Sequence, residues 1–245
     1  MISYLYNTII FNPLYNGLIY LFDAIPWIDA GIAVIIFTII VRLILFPLSK
    51  KSIVTQVRMK EIEPELNKLK QNEPDKQKQA LAVMALYKQK GVNPFASFFF
   101  LFLQLPIIYT LYSIFIRSGL PAVKTDLLYG FVAVPHINMT FLGLIDISQK
   151  SIILALIAAA AQYFQLHYSI ASQTVPSQTP HNGKPSALDA AQSMTKSMKY
   201  IFPVIVFLIS YNISAIVAIY WAISSLFTLG QELVVRRHLK NHQPL

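Results

Sequence analysis

Two long, nearly uncharged runs of apolar residues limit what this chain can fold into. One covers residues 30–48 with a single charged residue, Arg42, and the other covers residues 200–233 with only Glu232 charged. The hydrocarbon core of a bilayer is about 30 Å thick, and a helix of about 20 apolar residues crosses it. Hydrophobic residues make up 55% of the chain and charged residues 13%, whereas soluble domains carry about 25% charged residues. The chain is therefore predicted to be an all-α integral membrane protein.

The apolar runs and the charged segments between them predict five transmembrane helices. The second run is 34 residues long, about 50 Å as one helix, so it is predicted to turn at Tyr211-Asn212 and form two short spans. The predicted order is an external N-terminus with an interfacial helix at 13–22 (1–26), transmembrane helix 1 (27–49), a cytoplasmic helical hairpin (50–93), transmembrane helix 2 (94–117), an external loop (118–150), transmembrane helix 3 (151–170), a cytoplasmic loop (171–195), transmembrane helices 4 and 5 (196–235) and a cytoplasmic tail (236–245).

The charged segment 50–93 is predicted to form a pair of helices outside the bilayer. Apolar residues recur at helical spacing in 52–71 and in 76–90, and the sequence NEPD between them is typical of a turn. Asp75 is predicted to cap the second helix and Gly91 to end it. Pro47 is predicted to kink the end of the first span.

Positive charges are distributed unevenly along the chain, and this predicts its orientation. Ten Lys and Arg residues lie in the hairpin, and six lie in the second loop, the helix start after it and the tail. Three, Arg117, Lys124 and Lys150, lie on the opposite side. Because cytoplasmic loops carry an excess of Lys and Arg, the N-terminus is predicted to be outside and the C-terminus cytoplasmic.

Arg42 is a cation inside the first predicted span, about 9 Å from its cytoplasmic end. Its side chain could extend to the lipid headgroups, or it could face an aqueous cavity, which intramembrane ionisable residues commonly mark. Thr38 lies one turn away on the same helical face. Because Glu232 is the one acidic residue in the other predicted spans, Arg42 is predicted to lack a buried partner and to need water. This favours a hydrated groove.

Polar side chains at membrane depth complete the predicted site. Each alone is typical of a hydrogen bond between helices, whereas together they could line a cavity. Trp221 fits either a packed core or a groove wall. Ser224 and Thr228 lie on the same span as Ser225. The predicted groove residues are Arg42, Thr38, Gln104, Gln162, Gln165, Trp221 and Ser225.

Motifs for catalysis and cofactor binding do not occur in the sequence. The chain has no cysteine, its five histidines lack HExxH spacing, and its eight glycines form neither a dinucleotide fingerprint nor a P-loop. We therefore expect no enzymatic activity, no metal, no cofactor and no small-molecule substrate.

Several short stretches, taken in order, resemble the YidC/Oxa/Alb family of membrane protein insertases. They are VRLILFPL at 41–48, IEPEL at 62–66, LYKQKGVNP at 86–94, QLP at 104–106 with Tyr109 and Tyr112, FLG at 141–143, and Tyr220-Trp221 with Gln231. The resemblance covers about residues 12–235. It implies a groove open to the cytoplasm and the lipid but closed outside. In that groove it places Arg42, Trp221 of the fifth span, and Gln162 or Gln165 of the third.

The resemblance also implies a function and partners. Hydrophobic segments of nascent membrane proteins would enter from the cytoplasm, with the hairpin helping to receive them, and slide into the lipid bilayer. The ribosome and the Sec translocon are expected partners, although the short, mildly basic tail weakens the case for a ribosome contact. We expect neither the large periplasmic domain of Gram-negative members nor the lipoprotein cysteine of many Gram-positive ones. We expect a multi-pass protein of the bacterial plasma membrane; an organellar member, disfavoured by the missing transit peptide, is the alternative.

Two other functions fit parts of the sequence. A small channel or transporter subunit would need a continuous polar path and often an internal repeat, and neither is visible in the sequence. A membrane-anchored ribosome or RNA receptor would use the basic hairpin, but it would leave Arg42 and the glutamines unexplained.

Overall fold

The computed structural model describes residues 2–73, 75–93, 106–117, 120–171 and 187–241. These parts of the chain are almost entirely helical. The helices are α1 (Ile2–Tyr6), α2 (Asn12–Ala24), α3 (Ala30–Ile44), α4 (Phe46–Glu61), α5 (Glu63–Asn72), α6 (Lys76–Gln89), α7 (Pro106–Phe115), α8 (Ile152–Ala171), α9 (Ala187–Ile213) and α10 (Ala215–Asn241). A π turn at Asn7–Phe11 joins α1 to α2, and another at Ser113–Arg117 ends α7. Strands β1 (Thr140–Phe141) and β2 (Ile145–Asp146) form a small antiparallel hairpin.

Apolar helices long enough to cross a bilayer support the prediction of an integral membrane protein. Ile152–Ser169 of α8 and Ala215–Leu239 of α10 each meet the length and hydropathy that a span requires, and α3 with α4 would form a third, bent span. Two shorter apolar helices, Pro106–Phe115 and Ser197–Ile213, accompany them. Outward-facing side chains such as Ile153 of α8 and Val204 of α9 are more than half exposed, as lipid contact requires. The count of five spans remains a prediction.

Proline positions explain where the first helices bend and break. The axis bends by 64° between α3 and α4, next to Pro47, so the predicted kink is confirmed. The helix predicted for 52–71 is wrong as a single element: α4 begins at Phe46 and ends at Glu61, and α5 starts at Glu63. Pro64 lies in the first turn of α5. Because proline has no N–H and clashes with the carbonyl four residues earlier, it fits such a start better than a helix interior.

Helices α5 and α6 pack against each other around a small apolar cluster of their own. The cluster consists of the buried residues Ile62, Leu66, Val83, Leu86, Tyr87 and Val92. Asp75 Oδ1 accepts the backbone N–H of Gln77 at 2.9 Å, which confirms the predicted cap. Gly91 has a φ of +63°, a conformation that favours glycine, and α6 ends just before it. The ammonium of Lys90 contacts a Glu65 carboxylate oxygen at 2.6 Å. We refer to this unit as the α5–α6 hairpin.

Helix α10 lies at the centre of the main core and packs against α3, α4, α8 and α9. The segment 138–149 covers the N-termini of α3 and α10. The backbone N–H of Ala30 donates to the Asn138 carbonyl at 2.8 Å, and that of Ala215 donates to the Gln149 carbonyl at 2.9 Å. These bonds satisfy N–H groups that a helix start leaves without intrahelical partners. The segment therefore closes one end of the helix bundle.

The break in the last apolar run falls after the predicted position. Tyr211 and Asn212 are still helical, and the interruption is at Ser214. The Asn212 side-chain amide donates to the Leu208 carbonyl at 2.8 Å, so it supports the helix that it was predicted to end. The turn forms where Ala215 and Ile216 find backbone acceptors in the segment 138–149.

Candidate functional site

The buried core changes from apolar to polar along the bundle. Near the end covered by the segment 138–149 it consists mainly of apolar side chains such as Phe22, Val34 and Ile216, with the buried serines Ser210 and Ser214 among them. Two to three helical turns further along, buried polar side chains join the apolar ones: Thr38, Arg42, Ser49, Ser52, Gln162, Ser224, Ser225, Thr228, Gln231 and Glu232. The side chains of Ala30, Val34, Thr38 and Arg42 follow one another every four residues on the buried face of α3. The candidate site is this polar half of the core.

Arg42 is 4% exposed and faces α10. Its guanidinium donates a hydrogen bond to the Ser224 hydroxyl, and the Tyr220 side chain is a second hydrogen-bonding neighbour. The Gln231 amide donates to the Arg42 carbonyl at 3.4 Å. The prediction that Arg42 would lack a buried partner is therefore wrong, because it considered acidic residues and not hydroxyls. The side chain points into the bundle and not toward the headgroups.

Thr38 is 1% exposed, one turn before Arg42. Its hydroxyl donates to the carbonyl of Val34 at 2.6 Å, a bond within its own helix that is common for threonine in apolar surroundings. The threonine thus contributes a hydroxyl oxygen to the polar face, while its proton is used within α3.

Gln162 of α8 joins a second polar group on the neighbouring face of α10. Its Oε1 accepts hydrogen bonds from Trp221 Nε1 at 2.9 Å and from the Ser225 hydroxyl at 3.0 Å. Its Nε2 donates to Gln165 Oε1 at 2.7 Å. Hydrogen bonds therefore join four of the predicted site residues, Gln162, Gln165, Trp221 and Ser225. Trp221 is both packed, edge-on against Phe202, and hydrogen-bonded.

A third polar group lies further along α10. The Glu232 carboxylate, 2% exposed, accepts hydrogen bonds from Arg236 Nε at 3.0 Å and Nη2 at 2.5 Å. The Arg236 guanidinium lies 5.9 Å from the ring centre of Tyr168. The positive charge of Arg236 thus balances the buried Glu232 carboxylate from one turn away on the same helix.

The structure thus places the predicted residues in two groups on adjacent faces of α10. Arg42 and Thr38 belong to one, and Gln162, Gln165, Trp221 and Ser225 belong to the other. Gln104 lies outside the described residues. The predicted site omitted Ser224, Tyr220 and Gln231, which surround Arg42. Their spacing of four and seven residues on one helix indicates a common face, a signal that the sequence did contain.

Hydrogen-bond donors and acceptors dominate the chemistry of the site. Across the described ranges, no group of three or more His, Cys, Asp or Glu side chains could hold a metal ion. The buried hydroxyls, amides and one guanidinium can replace water around a polar segment that enters the bundle.

Comparisons with known proteins all point to one family. The sequence model of the family described as "60Kd inner membrane protein" matches residues 21–242. The membrane protein insertase YidC of Clostridium tetani is 30% identical over 219 residues, which are 89% of this chain and 86% of that protein. The corresponding insertase of Fusobacterium nucleatum is 29% identical over 208 residues, 84% of this chain and 86% of that one. The insertase of Treponema denticola is 30% identical, but the match spans only 34% of its length.

A solved structure agrees with the sequence comparisons. It is described as an active YidC insertase with its first transmembrane domain resolved, and it is 25% identical with a TM-score of 0.55. The similarity covers 90% of this chain and 46% of that one. The bacterial relatives and the apolar helices indicate a bacterial inner-membrane protein. Since the family match covers most of the chain, and relatives and fold agree with it, the chain belongs to the YidC/Oxa/Alb family.

Proposed function

We propose that this protein is a membrane protein insertase without a chemical step. Hydrophobic segments of nascent proteins enter a polar groove from the cytoplasm and leave sideways into the lipid bilayer. The groove residues are Arg42, Thr38, Gln104, Gln162, Gln165, Trp221 and Ser225. Relatives that match most of this chain are named insertases, which is the first support for the proposal.

The observation that carries the proposal is the buried polar half of the core around α10. An arginine costs about 2.5–3.5 kcal/mol at the centre of a spanning helix and less toward the interface, so burying Arg42 has a cost that a function would offset. Hydrogen bonds that the guanidinium donates to Ser224 and Tyr220 hold it at rest. A polar substrate segment that displaced these neutral partners would find a charge and several hydroxyls inside the bilayer.

The proposed orientation makes this groove one-sided. The uneven distribution of Lys and Arg favours five spans with the N-terminus outside and the C-terminus in the cytoplasm. In that orientation the segment 138–149 caps the outer end of the bundle, and the apolar half of the core lies beneath it. The polar half is then nearer the cytoplasm, which supports entry from that side.

The α5–α6 hairpin is the proposed receiving element for substrates. Its apolar cluster gives it a packed core separate from that of the bundle. Exposed Leu81 and Met84 of α6 lie three residues apart, with basic residues around them. Such a face suits a nascent chain, and its positive charge suits a ribosome. We propose the ribosome and the Sec translocon as partners on this basis and on the family membership.

Reconstitution of the purified protein into liposomes tests the proposal. The substrate is a short, single-span, phage-coat-like protein made in vitro, and the readout is the fraction of its tail protected from external protease. We expect a protected fragment that is absent with empty liposomes and with heat-denatured protein. A lack of protection above the empty-liposome level would contradict the proposal.

The same preparation separates the two rival functions. A channel or transporter subunit would conduct ions or small solutes across the liposome membrane without any substrate protein. A ribosome receptor would bind ribosomes through its hairpin but would give no protected tail. We expect protection without solute flux.

A further inference from the structure

A cleft of about 290 Å³ lies between the N-terminal helices, α7 and the loop after α7. None of the groove residues lines it. The N-terminal segment, α7 and the loop each contribute polar side chains to its wall, namely Asn7, Asn12, Tyr109, Ser113 and Lys124. Neither the fold nor the insertase proposal gives these residues a role.

Both helical walls of the cleft contain a π turn. Asn7–Phe11 forms one and Ser113–Arg117 the other, and residues of both turns line the cleft. A π turn inserts an extra residue into a helix and disturbs its regular hydrogen bonds, so it is rare and occurs mostly at functional sites. Two of them facing one cleft point to a site and not only to packing.

The described lining residues are rich in hydrogen-bond donors and include one cation and no acidic side chain. Lys124 contributes an exposed ammonium, and Asn7 and Asn12 contribute amides. The Ser113 hydroxyl is 6% exposed and is a hydrogen-bonding neighbour of Tyr6, so both side chains place polar groups on the same wall of the cleft.

Tyr6 contributes a neutral hydroxyl to the same wall. Burial raises the pKa of its phenol, so the group stays protonated. Thr110 Oγ1 donates to the Pro106 carbonyl at 2.7 Å, which makes Tyr6 the donor in its 2.8 Å bond to Thr110. An anion in the cleft therefore meets no negative charge from this residue.

From this arrangement we infer that the cleft binds a phosphate group, carried by the headgroup of an anionic phospholipid or free in solution. Several donors and one ammonium match the charge and the multiple acceptor oxygens of phosphate. The volume of about 290 Å³ is close to the lower limit of the ~300–1,000 Å³ of small-molecule pockets, a size that suits a headgroup.

Native mass spectrometry of the detergent-solubilised protein tests the inference, with phosphatidylglycerol as the probe. We expect one lipid to be retained, and Lys124→Gln to weaken retention about tenfold or more, since one charge-assisted hydrogen bond is lost. Ser113→Ala should weaken it about two- to fivefold. Lys150→Gln is the matched control, because it removes an exposed charge from the same loop but outside the cleft. Thermal unfolding of each variant checks that the fold is retained.

Glycerol 1-phosphate and inorganic phosphate, added at millimolar concentration, distinguish the two sources. If they leave phosphatidylglycerol bound, the site recognises the lipid; if they displace it in the wild type but not from Lys124→Gln, the site accepts free phosphate as well. Both results support a phosphate site. Equal retention by the wild type, Lys124→Gln and Ser113→Ala would overturn it, and so would an equal loss in Lys150→Gln.

Discussion

The Arg42 side chain sets the electrostatics of the proposed groove. An acidic substrate group within about 5 Å, at an effective dielectric constant of about 20, would gain roughly 3 kcal/mol from the guanidinium. This is comparable with the ~2.5–3.5 kcal/mol insertion cost of the arginine. The attraction is thus strong enough to help an acidic segment enter and weak enough to let it leave.

Substitutions of Arg42 should therefore discriminate between substrates by charge. We expect Arg42→Lys to retain much of the insertion activity because it keeps the charge. Arg42→Ala and Arg42→Glu should lose activity for substrates with acidic translocated tails and be less impaired with neutral tails. The measurement is insertion of a matched substrate pair that differs only in tail charge, at equal protein levels. Equal loss for both tails would show that Arg42 does not attract charge, and no loss for either would remove it from the path.

Ser224→Ala is the matched control for Arg42. It removes the hydroxyl that accepts the guanidinium hydrogen bond, at a cost of about 1.5–3 kcal/mol for a bond to a charged group, but it keeps the charge. We expect this variant to remain more active with acidic tails than Arg42→Ala. If Ser224→Ala and Arg42→Ala reduce the insertion of substrates with acidic tails equally, the loss comes from disturbed packing and not from the missing charge.

The α5–α6 hairpin is an element that can be removed without cutting the bundle. Its apolar cluster is separate from the main core, and α4 ends at Glu61. Deleting residues 61–88 should leave a protein that resists alkaline extraction from membranes but has impaired insertion activity. Full activity of the deletion variant would mean that the hairpin only connects two spans.

Gly31 determines how closely the β1–β2 turn approaches α3. A β-carbon at this position would overlap the ring of Phe141, and the neighbouring N-cap Asp29 accepts the Leu142 N–H at 3.0 Å. Gly31→Ala should destabilise the protein by about 1–3 kcal/mol, as overpacking usually does, and loosen the segment 138–149. Thermal unfolding and proteolysis of that segment measure both effects.

Gly130→Ala is the control for that prediction, because a β-carbon there would meet nothing within 4 Å. It should leave both stability and protease resistance unchanged. If Gly31→Ala behaved in the same way, the outer cap would not depend on this contact.

Local signals in the sequence predicted helix ends better than helix partners. The Pro47 kink and the Asp75 cap depend on residues within one or two turns, and both were predictable. The breaks at Ile62 and Ser214 differ from prediction, because Pro64 fits a new helix start and Ala215 finds its acceptor in a distant loop. Trp221 and Gln162 were predicted as groove residues, but their hydrogen bond joins helices 59 residues apart. A single sequence carries no signal for such a pairing.

For the molecule as a whole, we propose that a substrate moves along a polar path that is closed at the outer end. The chain contains no cysteine, so single cysteines can report where a substrate lies. Val217, Ser224 and Gln231 are spaced by seven residues on one face of α10 and are all buried, with exposures of 2%, 1% and 6%. They form a matched series from the capped apolar end to the polar end.

Disulfide cross-linking of these three positions to one cysteine in the tail of a stalled substrate tests the account most directly. We expect cross-links with Gln231→Cys and Ser224→Cys and none with Val217→Cys, because the tail should reach the polar half of the core but not the apolar end beneath the cap. Cross-linking at Val217→Cys that is as strong as at the other two positions would contradict the proposed path. So would insertion that proceeds without a cross-link at any of the three.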